Sequence, residues 1–203
     1  MNTAKIRLSA KEMELAMNAD WILTKNGIIE KGKILFGLLQ DKMISHLNSL
    51  SNLLPPEALR IPPKISKGEN YNGLPYLMLD YPRVFYKQNI FAIRTMFWWG
   101  NFFSITLHLG GDYKIEFSNK ILKMSHQLRN SEFFLCINEE EWEHHFDATN
   151  YAAVSNLSSE EFHSIVAVKS FVKLAKKYPI NTWDNAVEQL SDDFTIITGM
   201  LAG

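Results

Sequence analysis

Apolar residues recur every three or four positions toward both ends of the chain and every second position in its middle. This pattern predicts helices outside and strands within. Ser9-Ala10-Lys11-Glu12 is a capping box opening a helix from about Ala10 to Lys25, ended by Gly27 after Asn26. A second helix runs from about Ile28 to Leu50 on the stripe Leu35, Leu39, Met43, Leu47, Leu50 and Leu54, and Pro55-Pro56 stops it. Residues 55–75, broken by Pro62, Pro63, Gly68, Gly73 and Pro75, read as a long loop. Tyr76–Tyr81 reads as a strand. Ile90–Trp99 and Phe102–Leu109 read as a hairpin with a two-residue Gly100-Asn101 turn.

Asp112 is positioned to cap a helix to about Leu128, with either Ile115, Leu122 and Met124 or Phe117, Ile121 and Leu128 facing in. Glu132–Asn138 reads as a strand, and residues 139–157 carry no clear period. A second capping box, Ser158-Ser159-Glu160-Glu161, opens a helix predicted to reach Lys177, with Lys173, Lys176 and Lys177 at the negative end of its dipole. Asn181 or Thr182 caps a last helix with Trp183, Val187, Leu190, Phe194 and Ile197 inward.

Helices at both ends of a run of strands predict the α+β class. The expected architecture is a central antiparallel sheet of about four to five strands, flanked by N-terminal and C-terminal helix pairs, with one inserted helix. One domain is expected over 1–203: helical 9–54, loop 55–75, sheet region 76–138 with a helix at 112–128, irregular 139–157 and helical 158–200. No internal repeat is visible.

Composition sharpens the class. With 203 residues, 46% of them hydrophobic and 21% charged, the chain has enough apolar material for a core without staples. A net charge of −1 gives no global attraction to nucleic acid or anionic lipid, so neither partner is expected. Charge is segregated, however. Between Ala58 and Arg94, six basic residues (Arg60, Lys64, Lys67, Arg83, Lys87, Arg94) oppose only Glu69 and Asp80, and residues 130–168 hold eight acids with no Lys or Arg. The two regions are expected to face each other or water, or else to mark a polar site.

The single Cys136 cannot form an internal disulfide, and it reads as a small hydrophobe in a strand. Lys5 and Arg7 are not followed by the apolar run of a signal peptide. The most apolar window, 90–109, is interrupted by Arg94, Gly100, Asn101 and His108 and reads as two strands rather than a membrane span. A cytoplasmic location is the expectation.

Several stretches invite chemical readings. Gly27–Ile34 nearly spells a phosphate loop, but Ile34 stands where the Mg²⁺-binding hydroxyl belongs and a helix precedes it. Its glycines read as packing points or weak places in a helix. With a two-residue turn, Trp99 pairs with Phe102 and His108 with Ile93. Phe91, Ile93, Thr95, Phe97, Trp99, Phe102, Ser104, Thr106 and His108 then share one face. Aromatic walls with a few hydroxyls and one imidazole suit a ligand pocket. The candidate binding residues are Arg94, Thr95, Phe97, Trp99, Ser104, Thr106 and His108, although Arg94 falls on the opposite face, where it can instead pair a carboxylate.

Glu139–Asp147, with His144 and His145, mixes carboxylates and imidazoles. Adjacent histidines diverge, and only a helix would bring Glu141 to His145. It reads as a solvated acidic loop ahead of a metal site, and no metal or cofactor is assigned. The basic, tyrosine-containing stretch Lys64, Lys67, Tyr71, Tyr76, Tyr81 and Arg83 suits an anion clamp better than a nucleic-acid track. No nucleophile elbow is present.

Arg60–Lys67, the Pro-Tyr strand, the aromatic hairpin and Gly110-Gly111 before a helix are similar in order and texture to the layout of some bacterial families of unknown function. That likeness covers about a third of the chain and implies no functional residue. The leading expectation is a domain that binds a small molecule or a protein on the aromatic hairpin face. Its rival is a metal-assisted or acid–base hydrolase using His108, His144, His145 and nearby carboxylates. The third is a homodimer built on the long second helix or the C-terminal pair.

Overall fold

The computed structural model describes residues 6–50 and 53–203. Ser51 and Asn52 of the predicted helical segment, and Lys5, lie outside the described residues.

Ser9 opens α1 (Ala10–Met17) through the predicted capping box. Its hydroxyl accepts the Glu12 N–H at 3.3 Å, and the Glu12 carboxylate accepts the Ser9 N–H at 2.7 Å. The helix break falls at Asn18 instead of Gly27. Asn18 leaves helical geometry (φ −93°, ψ 90°), and its side-chain oxygen accepts the Trp21 N–H to start α2 (Ala19–Ser49). α2 continues for 31 residues, about 46 Å. A helical glycine costs about 1 kcal/mol, too little to interrupt a helix that buries Leu35, Phe36, Leu39, Met43 and Leu47. Of its glycines, Gly32 is a packing point, because a Cβ there would lie 2.7 Å from Leu77 Cδ1; Gly27 and Gly37 face open space. Gly32→Ala is therefore expected to lower the unfolding free energy by about 1 kcal/mol, overpacking outweighing helix propensity. Urea denaturation checks this.

After α3 (Pro56–Arg60) come β1 (Lys64–Tyr71), β2 (Leu74–Tyr86), β3 (Asn89–Trp98) and β4 (Phe102–Gly110). Then follow α4 (Gly111–Lys123), α5 (Ser125–Asn130), β5 (Phe134–Cys136), β6 (Tyr151–Ala153), α6 (Ser159–Val168), β7 (Phe171–Pro179), a 3-10 turn (Ile180–Asn185) and α7 (Ala186–Ala202). The chain is mixed helix and sheet with one antiparallel sheet of seven strands, in the order β1-β2-β3-β4-β7-β5-β6.

The expected four to five strands fall short because β1, β6 and β7 lie where the residue pattern predicts loop or helix. β1 is a polar edge strand, and Gly68 in it lies beneath the Tyr76 ring. β2 passes through Pro82, where its pairing with β3 shifts register. β7 is the larger correction. α6 stops at Lys169 (φ −66°, ψ 150°), and residues 171–179 pair with β4 on one side. Being buried on both faces, Phe171–Ala175 is a short continuous apolar run that periodicity alone does not separate from a helix. Lys173, Lys176 and Lys177 are thus strand residues and not the last turn of a helix.

One sheet face carries Leu77, Leu79, Phe91, Ile93, Phe97, Phe103, Ile105, Leu107 and Leu174 into a core with α2, α4 and α7. Phe117, Ile121 and Leu128 are the buried set of the middle helices, which break at Met124; Ile115 is exposed. Gly110, not Asp112, is the N-cap of α4, and Asp112 instead bonds Asn89 through both its N–H and its carboxylate. Asn181 and Thr182 belong to the 3-10 turn, and α7 begins at Ala186. No helix among the described residues is long and apolar enough to cross a membrane.

Candidate functional site

The hairpin connection holds three residues, Trp99-Gly100-Asn101, with Gly100 at φ +72°. The Asn101 N–H closes it on Trp98 O at 3.0 Å, while the Trp99 N–H leaves for Pro75 O on β2. β3 and β4 therefore pair Trp98 with Phe102, Arg94 with Thr106 and Ala92 with His108. One residue of slip moves a strand's side chains to the other face. The predicted mixed surface does not exist as a single face. Thr95 and Phe97 point toward the helices, and Trp99 sits in the turn. Ser104, Thr106 and His108 lie on the opposite face with Arg94, Met96 and Trp98. Thr95 is buried in the helix-side interior, where its hydroxyl has no partner among the described residues.

That opposite face is covered by a strap, residues 137–150, with no helix or strand of its own. Tyr71 holds the strap from β1. Its phenol oxygen accepts the N–H groups of His144 (2.7 Å) and His145 (3.0 Å) and donates to Glu143 Oε2 (2.8 Å). Burial, acting with Glu143, pushes this phenol up to about 12. Lys173 on β7 donates to Glu143 O at 2.6 Å, and Lys169 donates to Asn138 O and the Glu139 carboxylate. Buried Asn150 closes the far end by donating to His145 O at 2.5 Å. Phe146 stacks on Tyr151 at 4.7 Å, and Trp142 meets His108 at 5.2 Å. The acidic run is thus the lid of the sheet, with Glu139 paired to Lys169 at the end of α6 and Lys173 of β7 holding its backbone. The basic stretch spans β1 and β2, and on the edge strand β1 Glu69 pairs with Lys67 and with Lys25 of α2.

Beneath the strap, polar groups converge. His108 is 1% exposed and bonds Glu141 Oε2 at 3.1 Å. Burial, with Lys173 and Arg94 nearby, pushes its pKa down to about 3, so the neutral ring donates its N–H to the carboxylate. Burial likewise raises the Glu141 carboxyl. Burial also lowers His144, whose ring packs on Tyr71. Lys173 is 1% exposed and, among the described residues, has no carboxylate within ion-pair distance. Burial lowers its ammonium to about 8. Arg94 pairs with Asp80 at 2.7 Å between the rings of Phe85 and Trp142.

Glu141 and His145 do not converge, since the segment is not helical. His145 instead turns to Asp147 at 3.2 Å. Among the described residues no group of three or more His, Cys, Asp or Glu side chains is placed to hold a metal ion. Cys136 is buried, and that burial raises its thiol.

An apolar cavity lies on the other side of the sheet. A cleft of about 480 Å³ is lined by Phe97, Trp99, Gly100, Ile28, Lys31, Ile180 and Trp183. Trp183 crosses Phe97 and Phe103 edge-on at 5.4 Å, and Trp21 closes on Trp99 at 6.4 Å. Past Lys31 and Trp183 the cleft continues into a depression of about 310 Å³ bounded by Ile34, Leu35, Leu38, Asp184 and Val187. Lys31 makes no ion pair among the described residues. Phe97 and Trp99 are thus the two predicted residues that line an open cavity here. Sequence reasoning missed Lys31 and Ile28, which lie on a helix distant in sequence. It also missed Lys173 and Tyr151, although a lysine inside the apolar run 171–175 is a visible signal.

Compared with known proteins, the chain matches no family model, no curated protein and no solved structure.

Proposed function

We propose that this protein binds a small, largely apolar molecule carrying an acidic group, in the cleft between α2 and the hairpin turn. The observation that carries this reading is the cleft itself: three aromatic rings (Phe97, Trp99, Trp183) and two isoleucines around one unpaired cation, Lys31. Its volume, about 480 Å³, falls within the range of small-molecule sites. Flat rings supply apolar contact area at little entropic cost, and Lys31 supplies a single orienting charge.

The test uses the anionic aromatic probe 1-anilinonaphthalene-8-sulfonate, read by the rise of its own fluorescence on binding. Saturable one-site binding is expected. Trp183→Ala is expected to weaken it at least tenfold, about 1.4 kcal/mol or more, with near-UV circular dichroism confirming the fold. Lys31→Met is expected to weaken the sulfonate severalfold and leave the uncharged N-phenyl-1-naphthylamine unchanged. Binding that is unsaturable, or indifferent to Trp183, removes the proposal.

A second reading, acid–base chemistry beneath the strap, is favoured by the meeting of His108, Glu141, His144 and Lys173 on one face. It requires the strap to open, and release of the strap without any gain in reactivity of Lys173 toward an amine reagent counts against it.

A further inference from the structure

We propose that α1 and the outer side of the N-terminal half of α2 form a two-fold interface with a second copy of this chain. Residues 6–24 are exposed without interruption; α1 buries nothing, and the first buried residue of α2 is Ile29. The segment is nonetheless apolar. Met13, Leu15, Met17, Ile22 and Leu23 are 44–78% exposed. An apolar surface of this extent marks an interaction site. An eight-residue helix that buries nothing is also too short to hold itself in water.

Gly27 is an independent sign. It lies inside a helix, and among the described residues its Cβ position meets nothing within 4 Å, so neither a turn nor a contact with them accounts for it. Leu23, exposed on α2, precedes it by one turn. The gap at Gly27 suits a side chain from a neighbouring helix.

Charge and size select a second copy. Residues 6–28 hold Arg7, Lys11 and Lys25 against Glu12, Glu14 and Asp20, so the arm has no net charge to seek nucleic acid or anionic lipid. Lys11 and Glu14 share one side of α1. An antiparallel pair of copies can set Lys11 of one against Glu14 of the other, and the reverse, as an isologous contact requires. The arm also supplies a number of residues within the roughly 20–30 per side of a standard interface.

The test is sedimentation of the purified full chain from about 1 μM to about 100 μM, a range that brackets micromolar affinity. The mass is expected to rise from 23.4 kDa to twice that value. Met17→Glu combined with Leu23→Glu is expected to stay monomeric with unchanged circular dichroism, since neither residue is buried. Val168→Glu on α6, a site 82% exposed, is expected to leave the dimer intact. Gly27→Ala is expected to raise the thermal midpoint of the dilute monomer while weakening the dimer at least tenfold. A monomer at every concentration, a dimer indifferent to the double substitution, or co-sedimentation with phosphatidylcholine vesicles in place of self-association overturns the proposal.

Discussion

Replacing Lys173 with Met is expected to make the protein more stable at pH 7, by about 2 kcal/mol. The unfolded chain keeps this proton up to about 10.5, whereas burial brings the folded ammonium down to about 8. Between those values the unfolded state binds more protons, so native stability rises with pH through that window. Below it, the buried charge costs the native state about 3 kcal/mol. Met fills a similar volume without the charge, and forfeits only the bond to Glu143 O, about 1 kcal/mol. The difference between the two proteins should be largest below pH 8, shrink from pH 8 to 10 and then reverse. Urea unfolding of both across that range checks it. The groups facing the amine are Glu141 and Glu143 from the strap, His108, Arg94, Cys136 and Tyr151. If Lys173→Met destabilises at pH 7, one of those carboxylates is pairing the amine.

Tyr71→Phe is expected to cost about 3 kcal/mol and to loosen the strap selectively. The change removes one oxygen and strands two backbone donors, at His144 and His145, together with a carboxylate. Each stranded donor costs about 1–3 kcal/mol, part of which water recovers at this half-buried position. Amide exchange at His144 and His145 should accelerate about a hundredfold, while the helix-side core keeps its protection. Unchanged protection at those two amides would show that Trp142 and Phe146 hold the strap by packing alone.

What could be read from the residues followed from how local each signal is. Both capping boxes close as drawn, because Ser9 with Glu12 and Ser158 with Glu161 need only each other. The hairpin strands were legible from alternation, yet their register was not. Gly-Asn is compatible with a two- or a three-residue connection, and the choice rests on the Trp99 N–H leaving for Pro75 on another strand. That single residue separated Thr95 and Phe97 from Ser104, Thr106 and His108. β7 was hidden because an interior strand needs no polar face. The strap has no periodic pattern; its shape comes from Tyr71, Lys169 and Lys173, which reach it from elements far away in the chain.

The position of β7 also bears on synthesis at the ribosome. β1 to β4 are consecutive hairpins that can assemble as they emerge, but β4 then lacks its outer neighbour for some sixty residues of further translation. β5 is bonded only to β6 and β7, so neither β5 nor β6 has a place on the sheet until residues 171–179 arrive. A nascent chain stalled before Phe171 exposes an apolar strand edge of the kind that recruits chaperones or aggregates. Completion of the sheet is thereby deferred until β7, the last of its strands in chain order, has been made.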